Sequence, residues 1–196
     1  MTAIIDTGSF VRPYPGYRVS GDAVFIKSHD QGIFVCIIDA MGHGPDAANM
    51  AHRILDFLEI HWSINIESCL AQLNESMRGS LGAAVGMAFI YTEQQNIVSA
   101  TIGNTKLRVV GDTSTWGIAS DGILGQYKRS IKLSQLNFQT GDLILLYSDG
   151  LPSFFSMGEY RGNLKTDECD LITRNIIHQF GKAHDDASCI ALRYLK

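Results

Sequence analysis

Four places in this chain put an aspartate at or beside a strand that reads as buried. The segment IFVCIIDAMGHG, residues 33–44, is an apolar, β-branched strand that runs into Asp39 and then into a glycine-rich turn. Asp149 ends the apolar stretch LILLYS and is followed by Gly150, and Asp185 and Asp186 stand directly before ASCIALRYL. Asp22 lies just after Gly21, within the first strand-like stretch. Taken singly, each has the look of a turn former or a helix cap. Taken together they suggest a different chemistry. Carboxylates gathered at one point repel and raise one another's pKa, so a cluster holds only if cations neutralise it. Oxygen-only ligation suits Mg²⁺ or Mn²⁺, and neither an H-E-x-x-H pattern nor a cysteine pair offers a zinc alternative. Two such ions close together would bridge a water, acidify it and aim it at phosphorus, which points towards phosphoester hydrolysis. Spacing along the chain does not by itself make the carboxylates converge. The corner at Asp39 also suits phosphate cradling at a helix N-terminus.

The elements that must position these residues can be read from periodicity. YRVSGDAVFIK reads as a strand that Gly32 turns back into IFVCIID, a hairpin. Pro45 suits a first helical position, and Ala47, Met50, Ala51, Ile54, Leu55 and Leu58 follow at helical spacing. A second helix is expected from about Ile66 to Arg78, ending near Gly79. The pattern then switches to period two through AVGMAFIY, NIVSATI, KLRVV, STWGIA, SIKLSQLNF and LILLY, with tight turns at EQQN and TGD. DECDLITRNIIHQF reads as a last helix and ASCIALRYL as a last strand. This order lacks the strict strand–helix alternation of a parallel sheet, so an α+β sandwich is expected.

At 196 residues, 45% hydrophobic and 18% charged, the chain is expected to be a single globular domain, residues 1–196. Its net charge of −4 points away from nucleic acid and anionic membranes as partners. Cys36, Cys69, Cys169 and Cys189 are far apart and sit partly in apolar runs, so reduced thiols in a cytoplasmic protein are expected. The N-terminal stretch lacks the features of a signal peptide, and no run is long enough for a membrane span.

DAMGHG, YSDG and DDAS, in that order, resemble the metal-binding motifs of PPM-type (type 2C) serine/threonine phosphatases, and most closely those of the bacterial SpoIIE/RsbU/RsbX branch. The resemblance spans roughly Ser20 to Leu195, and the length is similar to the stand-alone phosphatase RsbX, with no sensor domain attached. It implies a four-layer αββα sandwich of two antiparallel sheets, with two Mn²⁺ or Mg²⁺ ions at one end. By this likeness Asp39 matches the aspartate that bridges both ions, and the backbone carbonyl of Ala40 binds one of them. Asp149 and Asp185 complete one ion's shell, while Asp22 reaches the other through water. Asp186 and Asn104 take supporting places around the ligands. Asn104, in GNTK, replaces an aspartate that some relatives use for a third ion. DGILG, Asp121 to Gly125, matches a glycine-rich stretch of the branch or is an ordinary turn. Asp39 and Asp149 carry the catalysis, and His43 is a candidate proton donor or a polar turn residue. Arg18 is a candidate phosphate clamp if it shares an extended strand with Asp22, and otherwise a solvated arginine. The implied activity is hydrolysis of phosphoserine or phosphothreonine on a protein, by resemblance a STAS-domain component of a stressosome-like or anti-sigma pathway.

Two other classes remain in view. Gly42, Gly44 and Ala47 give G-x-G-x-x-A between a strand and a helix, with Glu59 downstream, which mimics a dinucleotide-binding fingerprint. A catalytically silent binding module on the same fold is the second. R-G-S-L-G at Arg78 to Gly82 only approximates a serine-hydrolase motif and follows a helix.

Overall fold

The computed structural model describes residues 5–126 and 130–195. In chain order the strands are β1 (Ile5–Arg12), β2 (Asp22–His29), β3 (Gly32–Ala40), β4 (Ala83–Tyr91), β5 (Asn96–Ile102), β6 (Lys106–Val110), β7 (Ser114–Trp116), β8 (Leu133–Asn137), β9 (Leu143–Tyr147) and β10 (Ala187–Tyr194). The helices are α1 (Pro45–His61), α2 (Ile66–Ser76) and α3 (Cys169–Phe180). Two five-stranded sheets form, in the orders β1-β10-β9-β6-β7 and β2-β3-β4-β5-β8. All strand pairs among the named elements are antiparallel. Helices α1 and α2 cover the second sheet and α3 covers the first, which is the expected αββα sandwich.

Strand β3 explains why its sequence shows no polar alternation. Ile33, Val35 and Ile37 join the apolar layer shared with β9 and β10, whereas Phe34, Cys36 and Ile38 join the layer beneath α1 and α2. Both faces are covered, so both must be apolar. Ile54, Leu58, Leu70 and Leu73 of the two helices are fully buried on the outer face of that sheet. Each such side chain contributes about 1.5–3 kcal/mol of transfer free energy. Helix α2 is capped by Asn65, whose side chain accepts from Ser68 N at 3.0 Å. The start of α3 is tied to β1 by Cys169 N donating to Asp6 at 3.0 Å.

The helices and the period-two strands lie where the sequence implies, with two exceptions. Strand β1 was not expected, and it pairs along its full length with β10. The strand expected to begin at Tyr17 begins only at Asp22. Pro13, Pro15 and Gly16 break the backbone, and the following residues form turns and bends anchored to Asp186. The four cysteines are buried and free, as expected of reduced thiols. No helix among the described residues is long and apolar enough to cross a membrane. The glycine-rich corner after β3 does not belong to a nucleotide-binding βαβ unit, because β3 is flanked by antiparallel partners on both sides.

Candidate metal centre

Strand register brings the first two carboxylates together. Asp39 of β3 and Asp22 of β2 are direct cross-strand partners, so their side chains share a face. By the two-residue repeat this is the face of Ile33, Val35 and Ile37, turned towards the other sheet. From that sheet, the adjacent ends of β9 and β10 approach. Ser188 Oγ donates to Asp22 Oδ2 at 2.7 Å across the gap, and Ser188 N donates to Ser148 Oγ at 3.0 Å. Asp149 follows Ser148, and Asp185 precedes β10, so both are delivered to the same end of the sandwich. Gly150 permits the close approach: a Cβ there would meet Asp186 O at 1.9 Å.

Asp39, Asp149 and Asp185 line one basin of about 770 Å³, together with Ala40, His43 and Asn104. Asp22 lies behind Asp39, 5% exposed. Burial, followed by the charges of Asp22, Asp149 and Asp185, pushes Asp39 from the ordinary 3.8 up to about 9, and a hydrogen bond with Asp149 adds to the shift. Burial also raises Asp22, against the hydrogen bonds from Ser148 and Ser188 that favour its charge. Asp185 is raised by burial and by Asp149, with Lys182 opposing. Among the described residues, no three histidine, cysteine, aspartate or glutamate side chains are gathered closely enough to hold a metal ion in this arrangement; the carboxylates stand around a basin. The donor set is nonetheless what hard divalent cations require: oxygen ligands only, and more negative charge than the fold itself neutralises.

Asn104 and Asp186 each hold a neighbouring group by hydrogen bonds. Asn104 Nδ2 donates to Asp149 Oδ2 at 2.7 Å, orienting that carboxylate from the turn before β6. Asp186, 4% exposed, accepts from Tyr14 N at 2.8 Å, Ser20 Oγ at 2.8 Å and Gly21 N at 3.2 Å. It ties the loop before β2 to the start of β10. His43 lines the basin, but its ring is stacked on Tyr14, centroids 4.3 Å apart, and tilted against Tyr17 at 5.2 Å. Tyr17 also lies over Gly44, whose φ of 77° and lack of a side chain make room for the ring. DGILG contributes Asp121, Gly122 and Ile123 to the wall.

Arg18 takes the second of its two expected readings, a solvated arginine. It is exposed in a bend of the loop, shares no strand with Asp22, and is not among the residues lining the basin. The condition for its phosphate-clamp role is not met. Sequence pattern alone gives no role to two cationic side chains that the fold places at the site. Lys106 lines the basin, and Lys182 stands 3.8 Å from Asp185 and 4.0 Å from Asp149. The Lys-x-x-Asp spacing was a visible signal for the second. Tyr14, between two prolines, carries no local pattern that marks it for the site.

Comparison with known proteins agrees with this architecture. The family model described as Stage II sporulation protein E (SpoIIE) matches residues 29–195. The chain belongs to the SpoIIE family. It is similar to "Phosphoserine phosphatase RsbX" of Bacillus subtilis (strain 168), 24% identical over 152 residues, covering 76% of this chain and 74% of that protein. The crystal structure of RsbX in complex with magnesium superposes with a TM-score of 0.81 at 21% identity, covering 98% of each chain. A chain from work on the bacterial stressosome, described as a modular system adapted to control secondary messenger signaling, superposes with a TM-score of 0.85 at 25% identity, covering 97% of this chain and all of that one. The catalytic domain of the serine threonine protein phosphatase PstP, in complex with two manganese ions, superposes with a TM-score of 0.76 at 15% identity over the full length of both chains.

Proposed function

We propose that this chain is a metal-dependent protein phosphatase, one catalytic domain that removes phosphate from phosphoserine or phosphothreonine on a regulatory protein. The observation that carries this reading is the meeting of Asp39, Asp149 and Asp185 in one basin, where burial and mutual repulsion drive Asp39 to hold a proton at neutral pH. A carboxylate in that state is stabilised by a cation, and binding one releases the proton. Asp39 would contact both of two Mn²⁺ or Mg²⁺ ions, with Ala40 contributing its carbonyl, Asp149 and Asp185 completing one shell, and Asp22 supporting the other. The magnesium of RsbX and the two manganese ions of PstP support the choice of metal.

When bound, such a pair supplies an acidified water and neutralises phosphoryl oxygens. The chain's own residues do the rest. Asn104 orients Asp149 by donating to one of its oxygens. Ser188 and Ser148 hydrogen-bond Asp22 and favour its charged form against the burial that opposes it. Asp186 pins the loop that delivers Tyr14 to the rim. Two imidazoles line the basin, His43 and His184; His43, held in the wall between the two tyrosine rings, is the candidate to give a proton to the leaving serine oxygen. The likeness to RsbX and to the stressosome-related chain supports a phosphorylated regulatory protein as substrate, and a STAS-domain component is the specific candidate.

The test is release of inorganic phosphate from a phosphorylated STAS-domain protein and from p-nitrophenyl phosphate, with Mn²⁺ and with EDTA. Turnover in Mn²⁺ that EDTA abolishes is expected. No turnover in Mn²⁺, together with tight binding of the phosphoprotein, would favour a silent binding module instead.

A further inference from the structure

Among the described residues, Lys182 is the one cation that forms ion pairs with two of the proposed metal ligands. Its Nζ lies 3.8 Å from Asp185 Oδ2 and 4.0 Å from Asp149 Oδ2, and all three side chains are between a third and a half exposed. Its position is not left to chance. Lys182 N donates to Gly150 O at 2.8 Å, and Lys182 O accepts from the Arg12 guanidinium. The backbone two residues beyond α3 is thus held to the loop after β9 and to β1, and the side chain is aimed back at the carboxylates. Asp149 Oδ2, the oxygen that Lys182 faces, is also the one that Asn104 donates to at 2.7 Å.

We propose that Lys182 is a tethered counter-ion that competes with divalent metal for Asp149 and Asp185. The inference rests on the metal-centre reading above and deepens it. With no ion bound, the ammonium offsets part of the repulsion between the two carboxylates. A divalent ion between them places two positive charges where one stood, so the ammonium must leave at least one carboxylate and is then repelled by the ion. Lys182 therefore weakens metal binding while stabilising the metal-free fold. Ion pairs at this exposure are each worth a factor of about two to five, and two of them set the expected scale.

The experiment is calorimetric titration of the full chain with MnCl₂, comparing wild type, Lys182→Gln and Lys182→Arg, with thermal melts in EDTA alongside. Lys182→Gln is expected to bind Mn²⁺ about three- to tenfold more tightly and to melt lower in EDTA. Lys182→Arg, which keeps the charge, is expected to behave as wild type. Raising the salt should narrow the affinity gap, because the pairs are solvent-screened. Unchanged or weaker Mn²⁺ binding by Lys182→Gln, with wild type binding normally, would overturn this inference alone. Absence of Mn²⁺ binding by wild type would overturn it together with the metal centre on which it rests.

Discussion

Asp39→Asn should stabilise the metal-free protein while removing its response to metal. Asp39 is pushed from 3.8 up to about 9, first by burial and then by Asp22, Asp149 and Asp185. Between those values the folded chain keeps a proton that the unfolded chain has lost. Folding stability must then fall as pH rises, by about 1.4 kcal/mol per pH unit for one proton. From pH 5 to 7.5 that amounts to about 3.5 kcal/mol at most, and sharing of the proton with neighbouring carboxylates reduces it to roughly 2–3 kcal/mol. Asparagine resembles the protonated acid in shape and can donate to Asp149, but it has no proton to lose. The assay is urea unfolding followed by tryptophan fluorescence, in EDTA and in Mn²⁺, at a series of pH values. In EDTA the two proteins should be nearly equal at pH 5, with the variant ahead by roughly 2–3 kcal/mol at pH 7.5. In Mn²⁺ at about a hundred times its Kd, wild type should gain about 2.7 kcal/mol and the variant much less. Parallel pH curves in EDTA would refute the reasoning, because Asp39 would then carry no excess proton in the fold.

Asp149→Asn and Asp185→Asn should each lower Mn²⁺-dependent phosphate release by orders of magnitude with the fold retained by circular dichroism. Asp186→Ala leaves the Tyr14 and Gly21 amides and the Ser20 hydroxyl without their shared acceptor; a loss of about 1–3 kcal/mol in urea unfolding is expected, with faster proteolysis in the loop of residues 13–21. His43→Ala should reduce kcat about a hundredfold while Mn²⁺ affinity, read by calorimetry, stays within a factor of about two; an unchanged kcat would return His43 to the basin wall.

The recurrence of aspartates at strand ends was legible because a charged residue closing an apolar strand contradicts the local pattern, and the contradiction marks a candidate position for chemistry. Period-two and helical spacing likewise carried most of the architecture, including Pro45 opening α1 and Gly79 following α2. What stayed hidden depends on distance in the chain. Strand β1 forms against β10, nearly the whole sequence away, and its half-buried residues show little alternation. Arg18 looked strand-bound because Tyr17 to Lys27 is rich in strand formers, yet Asp186 captures that stretch as a loop from the far end of the chain. Lys182 and Tyr14 acquire meaning only once β9, β10 and the first loop meet. Local preference cannot report on such meetings; only the packed sheets do.

The most direct test of the account is anomalous diffraction from crystals soaked in Mn²⁺. Two peaks are expected in the basin, both in contact with the Asp39 carboxylate, with Asp149 and Asp185 on one of them. No peak in the basin, or a peak that the Asp39 carboxylate does not touch, would contradict it.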